Sequence, residues 1–237
     1  MRTEAHARLY ELSSRLLLLL LRTPGLRDVL TRFAKIWLRQ ARIAGHLARG
    51  SYDAIVDGGA SIGEFAALAR LACPGTPLLC VEPHPASAAR LRQRGFSVIE
   101  AALWHEPGSA TLTQPTDAVT SCSLLAAGAP ERPAWTVPTL RLDQLSIPGA
   151  RVLVKLDLQG AEPQALKGMG ELWQRCFGLL LEVSYGEQGS YEPLRALLTG
   201  KGFFEAATFN ELEAEDGVVE ADKLWLRRDR DAAKAQD

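Results

Sequence analysis

Hydrophobic and polar positions follow two regimes along the chain, and the change comes near Ser51. Before it, Leu9, Leu12, Leu16 and Leu19 recur at helical spacing beside a charged stripe of Glu4, Arg8, Glu11, Arg15 and Arg22. Pro24-Gly25 breaks that helix. A second one follows, with Asp28, Arg32, Lys35, Arg39, Arg42, His46 and Arg49 on its polar side. After Ser51 short apolar runs alternate with helical periodicity. Ala54–Asp57, Leu78–Val81, Phe96–Ile99, Val152–Leu156 and Leu179–Val183 have strand length and little polar interruption, as strands covered on both faces require. Helices are expected over Ile62–Ala72, Ala86–Arg94, Pro163–Met169 and Tyr191–Leu198. Residues 103–150 are less regular; Pro107-Gly108 predicts a hairpin and Val137–Leu142 a strand. Phe203–Phe209 and Lys223–Leu226 predict a terminal antiparallel pair. This alternation predicts an α/β fold, a doubly wound Rossmann-like, mostly parallel sheet with a terminal antiparallel strand, preceded by an N-terminal helical arm. The boundaries follow as an arm over 1–50, a domain over 51–228 and a charged tail over 229–237, with the tail character beginning at Arg227.

Composition agrees with a packed core: 47% of the 237 residues are hydrophobic and 23% charged. The net charge of −1 offers no overall basic field for nucleic acid. It hides an asymmetry, because residues 1–50 hold ten Arg and Lys against three acids, leaving the acidic excess to the body. The arm therefore suits packing on the domain, a homo-oligomer contact, or an anionic membrane surface. The Leu16–Leu21 run is too short to span a bilayer, which takes about 20 apolar residues. Cys73, Cys80, Cys122 and Cys176 lie too far apart for a CxxC motif, so reduced structural thiols and a cytoplasmic location, with peripheral membrane contact through 1–50, are expected.

The strand ends carry the chemistry. Asp57-Gly58-Gly59-Ala60-Ser61-Ile62-Gly63 is an acid at a strand end followed by a small-residue turn into a helix. Gly59 and Gly63 would let a ligand approach the backbone closely. Glu82 ends the next strand, where a carboxylate can accept both ribose hydroxyls. The dinucleotide signature G-x-G-x-x-G is not met. Asp57 also opposes a pyrophosphate, and suits the cationic methionine part of S-adenosylmethionine better.

With those residues in place, the chain resembles the FkbM-type class I methyltransferases. Val56–Phe65 resembles the family's glycine segment, and Val81-Glu82-Pro83-His84-Pro85 its ribose segment. Ala102–Gly108, Ser121–Leu124 and Val137–Leu145 resemble later ones. The most specific stretch is Lys155-Leu156-Asp157-Leu158-Gln159-Gly160-Ala161-Glu162 with Leu166-Lys167-Gly168, followed by Leu181-Glu182-Val183. The likeness runs from about Tyr52 to Leu226 and leaves the arm uncovered. Two positions depart from it: Gln159 stands where the family has Glu, and Ser61 where it has Asn. The resemblance implies S-adenosylmethionine as cofactor, held by Asp57, Gly59, Ser61, Gly63, Glu82, Pro83, His84, Ala101 and Ala102. It also implies O-methylation of a hydroxyl on a saccharide or other small molecule.

Methyl transfer to oxygen needs a group that takes the hydroxyl proton. Asp157 is the leading candidate, with Lys155 on the same side of its strand and Glu162 and Glu182 nearby in the pattern. Asp157 and Glu182 could together hold Mg²⁺. His84 and His105 compete as bases, and Ser121, Ser123, Trp104 and Trp135 belong to the irregular insert that can line the acceptor. Two other readings use the same residues: a nucleotide-dependent oxidoreductase, and a catalytically weak donor-binding adaptor acting through its basic arm. Gln159 gives the second its weight.

Overall fold

The computed structural model describes residues 41–114, 122–125, 132–187, 189–214 and 217–228. The Leu16–Leu21 run, Pro24-Gly25, Arg32, Lys35, Arg39, Ser121 and the 229–237 tail lie outside the described residues. The chain divides into two compact units, Met1–Ile43 and Ala44–Asp237, and the sheet and the site belong to the second. Among the described residues, no helix is long and apolar enough to cross a membrane.

In chain order, the first half of the domain holds β1 (Ala54–Gly58), α1 (Glu64–Ala72), β2 (Leu78–Val81), α2 (Pro85–Gln93), β3 (Ser97–Ile99), β4 (Ala102–Leu103) and β5 (Gly108–Thr113). The second half holds β6 (Ala134–Leu140), β7 (Val152–Leu156), α3 (Glu162–Lys167), α4 (Leu172–Arg175), β8 (Cys176–Ser184), α5 (Tyr191–Gly200), β9 (Phe203–Ala214) and β10 (Gly217–Arg227). Seven strands make one sheet in the order β3-β2-β1-β7-β8-β10-β9. Neighbours from β3 through β8 are parallel, and β10 and β9 close the edge antiparallel.

Every residue of β1 and β7 is buried, which is why both read as apolar runs interrupted only by Asp57 and Lys155. The two faces of the sheet pack separately. Cys80 of β2 joins Ala60, Ala66, Leu91 and Phe96 on the side of α1 and α2. Its neighbour Val81 joins Val56, Val154, Leu156, Ala165 and Leu198 on the other. Each fully buried Leu or Val side chain contributes about 1.5–3 kcal/mol to that packing. All four cysteines are free.

Three expectations change. Gly108 does open a strand, but its antiparallel partner is β6, reached only after the intervening insert, so Pro107-Gly108 is not the turn of a hairpin. The partner is set by apolar demand: Leu112 of β5 and Val137 of β6 share one cluster with Ala102 of β4. The terminal pair is longer than the apolar pattern predicts, because β9 and β10 continue past the end of β8 as a two-stranded ribbon, with Val218 opposite Glu213 and Gly217 opposite Ala214. Arg227 belongs to β10 rather than to a frayed tail. It donates to the Trp173 carbonyl at 2.5 Å and lies over the Phe203 ring at 4.8 Å.

Candidate active site

The strand order reverses between β1 and β7, with β2 and β3 on one side and β8 on the other. A crevice at the carboxyl ends of the strands belongs at that point in such a sheet. There the β1–α1 turn is pinned to both neighbours. Gly59 N–H donates to the Val81 carbonyl at 2.9 Å, and Asp157 N–H donates to the Gly58 carbonyl at 3.2 Å. Gly59 has φ +69°, and a Cβ placed on it would lie 1.9 Å from the Asp157 carbonyl oxygen. Only glycine fits a left-handed residue this close to another strand. Gly59→Ala is therefore expected to lose at least about 2 kcal/mol in urea unfolding, from left-handed strain plus displacement of the turn. Stability equal to the parent would refute this account of the turn.

Glu82 is 5% exposed and closes the far side of the turn. Its Oε2 accepts from Ser61 N–H at 2.7 Å and its Oε1 from His84 N–H at 2.8 Å. Burial pushes its carboxyl above the ordinary range, opposed by those two amides. His84 is the N-cap of α2, its Nδ1 accepting from Ser87 N–H at 3.3 Å. In that role the imidazole offers an acceptor to the first helical turn. Its ring meets Trp135 edge-on at 4.5 Å, and desolvation lowers its pKa. Trp135 therefore packs against the end of β2 at the start of α2. Ala101 and Ala102 are buried at the exit of β3.

Asp57 and Lys155 stand directly opposite in the β1–β7 register. Lys155 Nζ lies 3.0 Å from Asp57 Oδ1, and donates to the carbonyls of Gly59 at 2.9 Å and Gly58 at 3.3 Å. Asp57 is fully buried, so its charge faces Lys155 rather than an open cleft. Burial pulls the Lys155 ammonium down, but Asp57 and Asp157 more than offset it, and the net shift is upward. A lysine held cationic by three oxygens fixes the turn; it has no lone pair for an acceptor proton.

The carboxylates lie one step further along the sheet. Asp157 follows β7 with its side chain 39% exposed, one oxygen 3.7 Å from Lys155 Nζ. Glu182 on β8 is pushed up to about 9 by burial and by the charges of Asp157, Glu162, Glu220 and Asp222. Gln159 spans the two, its Nε2 donating to Asp157 Oδ1 and to Glu182 Oε2 at 3.2 Å each. Glu162 is placed differently from Asp157. At 1% exposure it sits under the turn at the start of α3, accepts from Leu158 N–H at 2.5 Å, and is raised to about 7 mainly by burial. Among the described residues, no three His, Cys, Asp or Glu side chains converge as a group that could hold a metal ion. The pair expected to hold Mg²⁺ instead faces N–H hydrogens from Gln159.

His105 lies apart, 3.5 Å from Glu106 and beside the Trp104 ring. Ser123 is buried and donates to the Gln159 carbonyl at 3.1 Å, tying the insert to this end of the sheet. Two residues escaped the sequence pattern. Asp222 stands opposite Glu182 across β8 and β10, and Asn210 donates to its carboxylate. Burial raises Asp222 to about 6. The polar alternation of β10 was the available signal, but its pairing with β8 is not local.

A family model described as the methyltransferase FkbM domain matches residues 57–205, more than half of the chain. No curated protein matches it in sequence. Among solved structures, the magnesium protoporphyrin IX methyltransferase of Synechocystis superposes with a TM-score of 0.47 at 11% identity, over 87% of this chain and 85% of that one. A methyltransferase FkbM from Methylobacillus flagellatus gives 0.45 at 18% identity, over 73% of this chain and 43% of that longer one. The match of 57–205 begins at the buried Asp57 and contains the glycine turn, Glu82 and the whole Lys155–Glu162 stretch. The chain belongs to the FkbM methyltransferase domain family.

Proposed function

We propose that the protein is an S-adenosylmethionine-dependent methyltransferase that methylates a hydroxyl of a saccharide or other small molecule. The observation that carries the donor assignment is the Glu82 carboxylate. Each of its oxygens accepts one backbone N–H and retains acceptor capacity toward a diol. Beside it, Ser61 Oγ is buried with no hydrogen-bond partner among the described residues, an orphan that a ligand would satisfy. Gly59 lets the turn press on the end of β7, where a Cβ would lie 1.9 Å from the Asp157 carbonyl oxygen.

The donor, when bound, supplies an electrophilic methyl group on a sulfonium. Glu82 and Ser61 would hold its nucleoside, with His84 and Trp135 along that side. Lys155 keeps the turn rigid by its bonds to the Gly58 and Gly59 carbonyls. Asp157, the half-exposed carboxylate next to that turn, orients the acceptor hydroxyl and takes its proton as the new bond forms.

The test is calorimetry and thermal shift with S-adenosylhomocysteine and with NAD. Binding of the first at 100 times its dissociation constant should raise stability by about 2.7 kcal/mol. NAD should leave the melting temperature unchanged. A panel of saccharides and small hydroxylated compounds, read by mass for one added methyl, then identifies the acceptor. Stabilisation by NAD and not by S-adenosylhomocysteine would overturn the assignment.

A further inference from the structure

Gln159 is held from three directions at the centre of the site. Its backbone has φ +54°, a left-handed conformation that side-chain-bearing residues seldom adopt. Its carbonyl accepts from Ser123 Oγ at 3.1 Å, and that hydroxyl in turn accepts from Leu125 N–H at 3.1 Å. Its side chain donates to Asp157 Oδ1 and to Glu182 Oε2, at 3.2 Å each. A primary amide nitrogen has two hydrogens and no acceptor capacity, so these two bonds use all it has to give.

The surroundings show why such a donor matters. Burial and the charges of Asp157, Glu162, Glu220 and Asp222 already oppose a negative charge on Glu182. Lys155 is the facing cation, and it is engaged by Asp57 at 3.0 Å and by the turn, with Asp157 further off at 3.7 Å. A third carboxylate at position 159 would crowd the same space with negative charge and create a set of oxygen ligands for a hard cation. A carboxamide points hydrogens at both acids instead.

We propose that Gln159 is a positioning residue of the transfer site: its carboxamide joins Asp157 to Glu182 and presents the pair to the acceptor, replacing the divalent cation that three carboxylates would require. This rests on the assignment of these strand ends to the acceptor. The same residue carries the Ser123 bond, so the 122–125 segment and the acid pair are linked through one side chain and one carbonyl.

The full-length chain and its Gln159→Glu and Gln159→Met variants are compared, with Mn²⁺ and S-adenosylhomocysteine as probes. Gln159→Glu should bind Mn²⁺ saturably in calorimetry and paramagnetic resonance, and Mg²⁺ should restore a melting temperature lowered by the substitution. The parent and Gln159→Met should show no saturable binding below about 1 mM. All three should bind S-adenosylhomocysteine alike, which also verifies that each is folded. With the acceptor found by the panel above, Gln159→Met should lose about 10-fold or more in kcat with the donor KM unchanged, and Gln159→Glu should regain turnover only with added Mg²⁺. Mn²⁺ binding to the parent as tight as to Gln159→Glu, no cation response in Gln159→Glu, or unchanged kcat in Gln159→Met would each overturn the proposal. Failure of the parent to bind S-adenosylhomocysteine would instead strike the donor assignment, and the Mn²⁺ comparison would still decide the role of Gln159.

Discussion

Lys155→Met should destabilise the domain by about 3–5 kcal/mol near neutral pH, the usual cost of removing one member of a buried ion pair. For a chain of this size that is a fall of about 6–20 °C in melting temperature. The reason lies across the β1–β7 register. Asp57 is fully buried, and its carboxylate lies 3.0 Å from the Lys155 ammonium. Methionine fills the volume but leaves that charge without its cation, and frees the Gly58 and Gly59 carbonyls that the ammonium had joined. Burial already holds the Asp57 carboxyl above its ordinary range against the pull of Lys155, and without the ammonium it can remain buried only by holding a proton, so its folded pKa rises further. A carboxyl raised in this way favours folding below its unfolded pKa and loses that contribution as pH rises through the folded value. The deficit of Lys155→Met should therefore be smallest in acid and grow toward neutral pH. Adding Asp57→Asn should recover part of the loss at pH 7, because a neutral amide replaces the stranded charge. Urea unfolding of the four proteins of this cycle, at pH 5 and pH 7, measures both effects. A single variant within about 1 kcal/mol of the parent, or a double variant worse than the single, would show that the pair does not hold the turn.

The same ion pair marks where the sequence stops being legible. β1 and β7 were bounded correctly within a residue, because burial on both faces leaves a run of Ile, Val and Leu that no helix of that length would show. Asp57 was legible as a strand-end acid, but its partner was not. Lys155 is nearly a hundred positions away, and it meets Asp57 only because β7 rather than another strand lies beside β1. Read locally, a lone acid asks for a cationic ligand; read in the sheet, it already has a cation. Glu162 shows the same limit, since its spacing from Asp157 suggested a shared cleft while the α3 start turns it inward under Leu158. Glu82 was the easier case. A carboxylate at the end of β2 has few local partners, and among the described residues it accepts two backbone amides, one on each oxygen. Position 159 lay between these cases: the departure from the family pattern was visible and Asp157 is a local partner, whereas the bond to Glu182 depends on β8 lying beside β7.

Glu82→Ala and Asp157→Asn should separate donor binding from transfer. On the proposed donor site Glu82 accepts the ribose hydroxyls, and hydrogen bonds to a charged group contribute about 1.5–3 kcal/mol. Its loss should weaken S-adenosylhomocysteine binding roughly 10- to 150-fold. Part of that fall comes through the turn, since Ser61 N–H and His84 N–H lose their partner as well. Asp157→Asn keeps the side-chain volume and can still accept from Gln159 Nε2, but it removes the charge and the basicity. Donor affinity should stay within about twofold, while turnover falls by about 10²-fold or more, as for loss of a general base. The change should appear in kcat, because the acceptor proton matters as the new bond forms and not when the donor binds. Calorimetry with S-adenosylhomocysteine gives the first quantity, and initial rates with the acceptor found by the panel give the second. If Asp157→Asn loses the donor as badly as Glu82→Ala, the end of β7 belongs to the donor site and the base must lie elsewhere. If Glu82→Ala binds the donor product as the parent does, the nucleoside is not held at the end of β2.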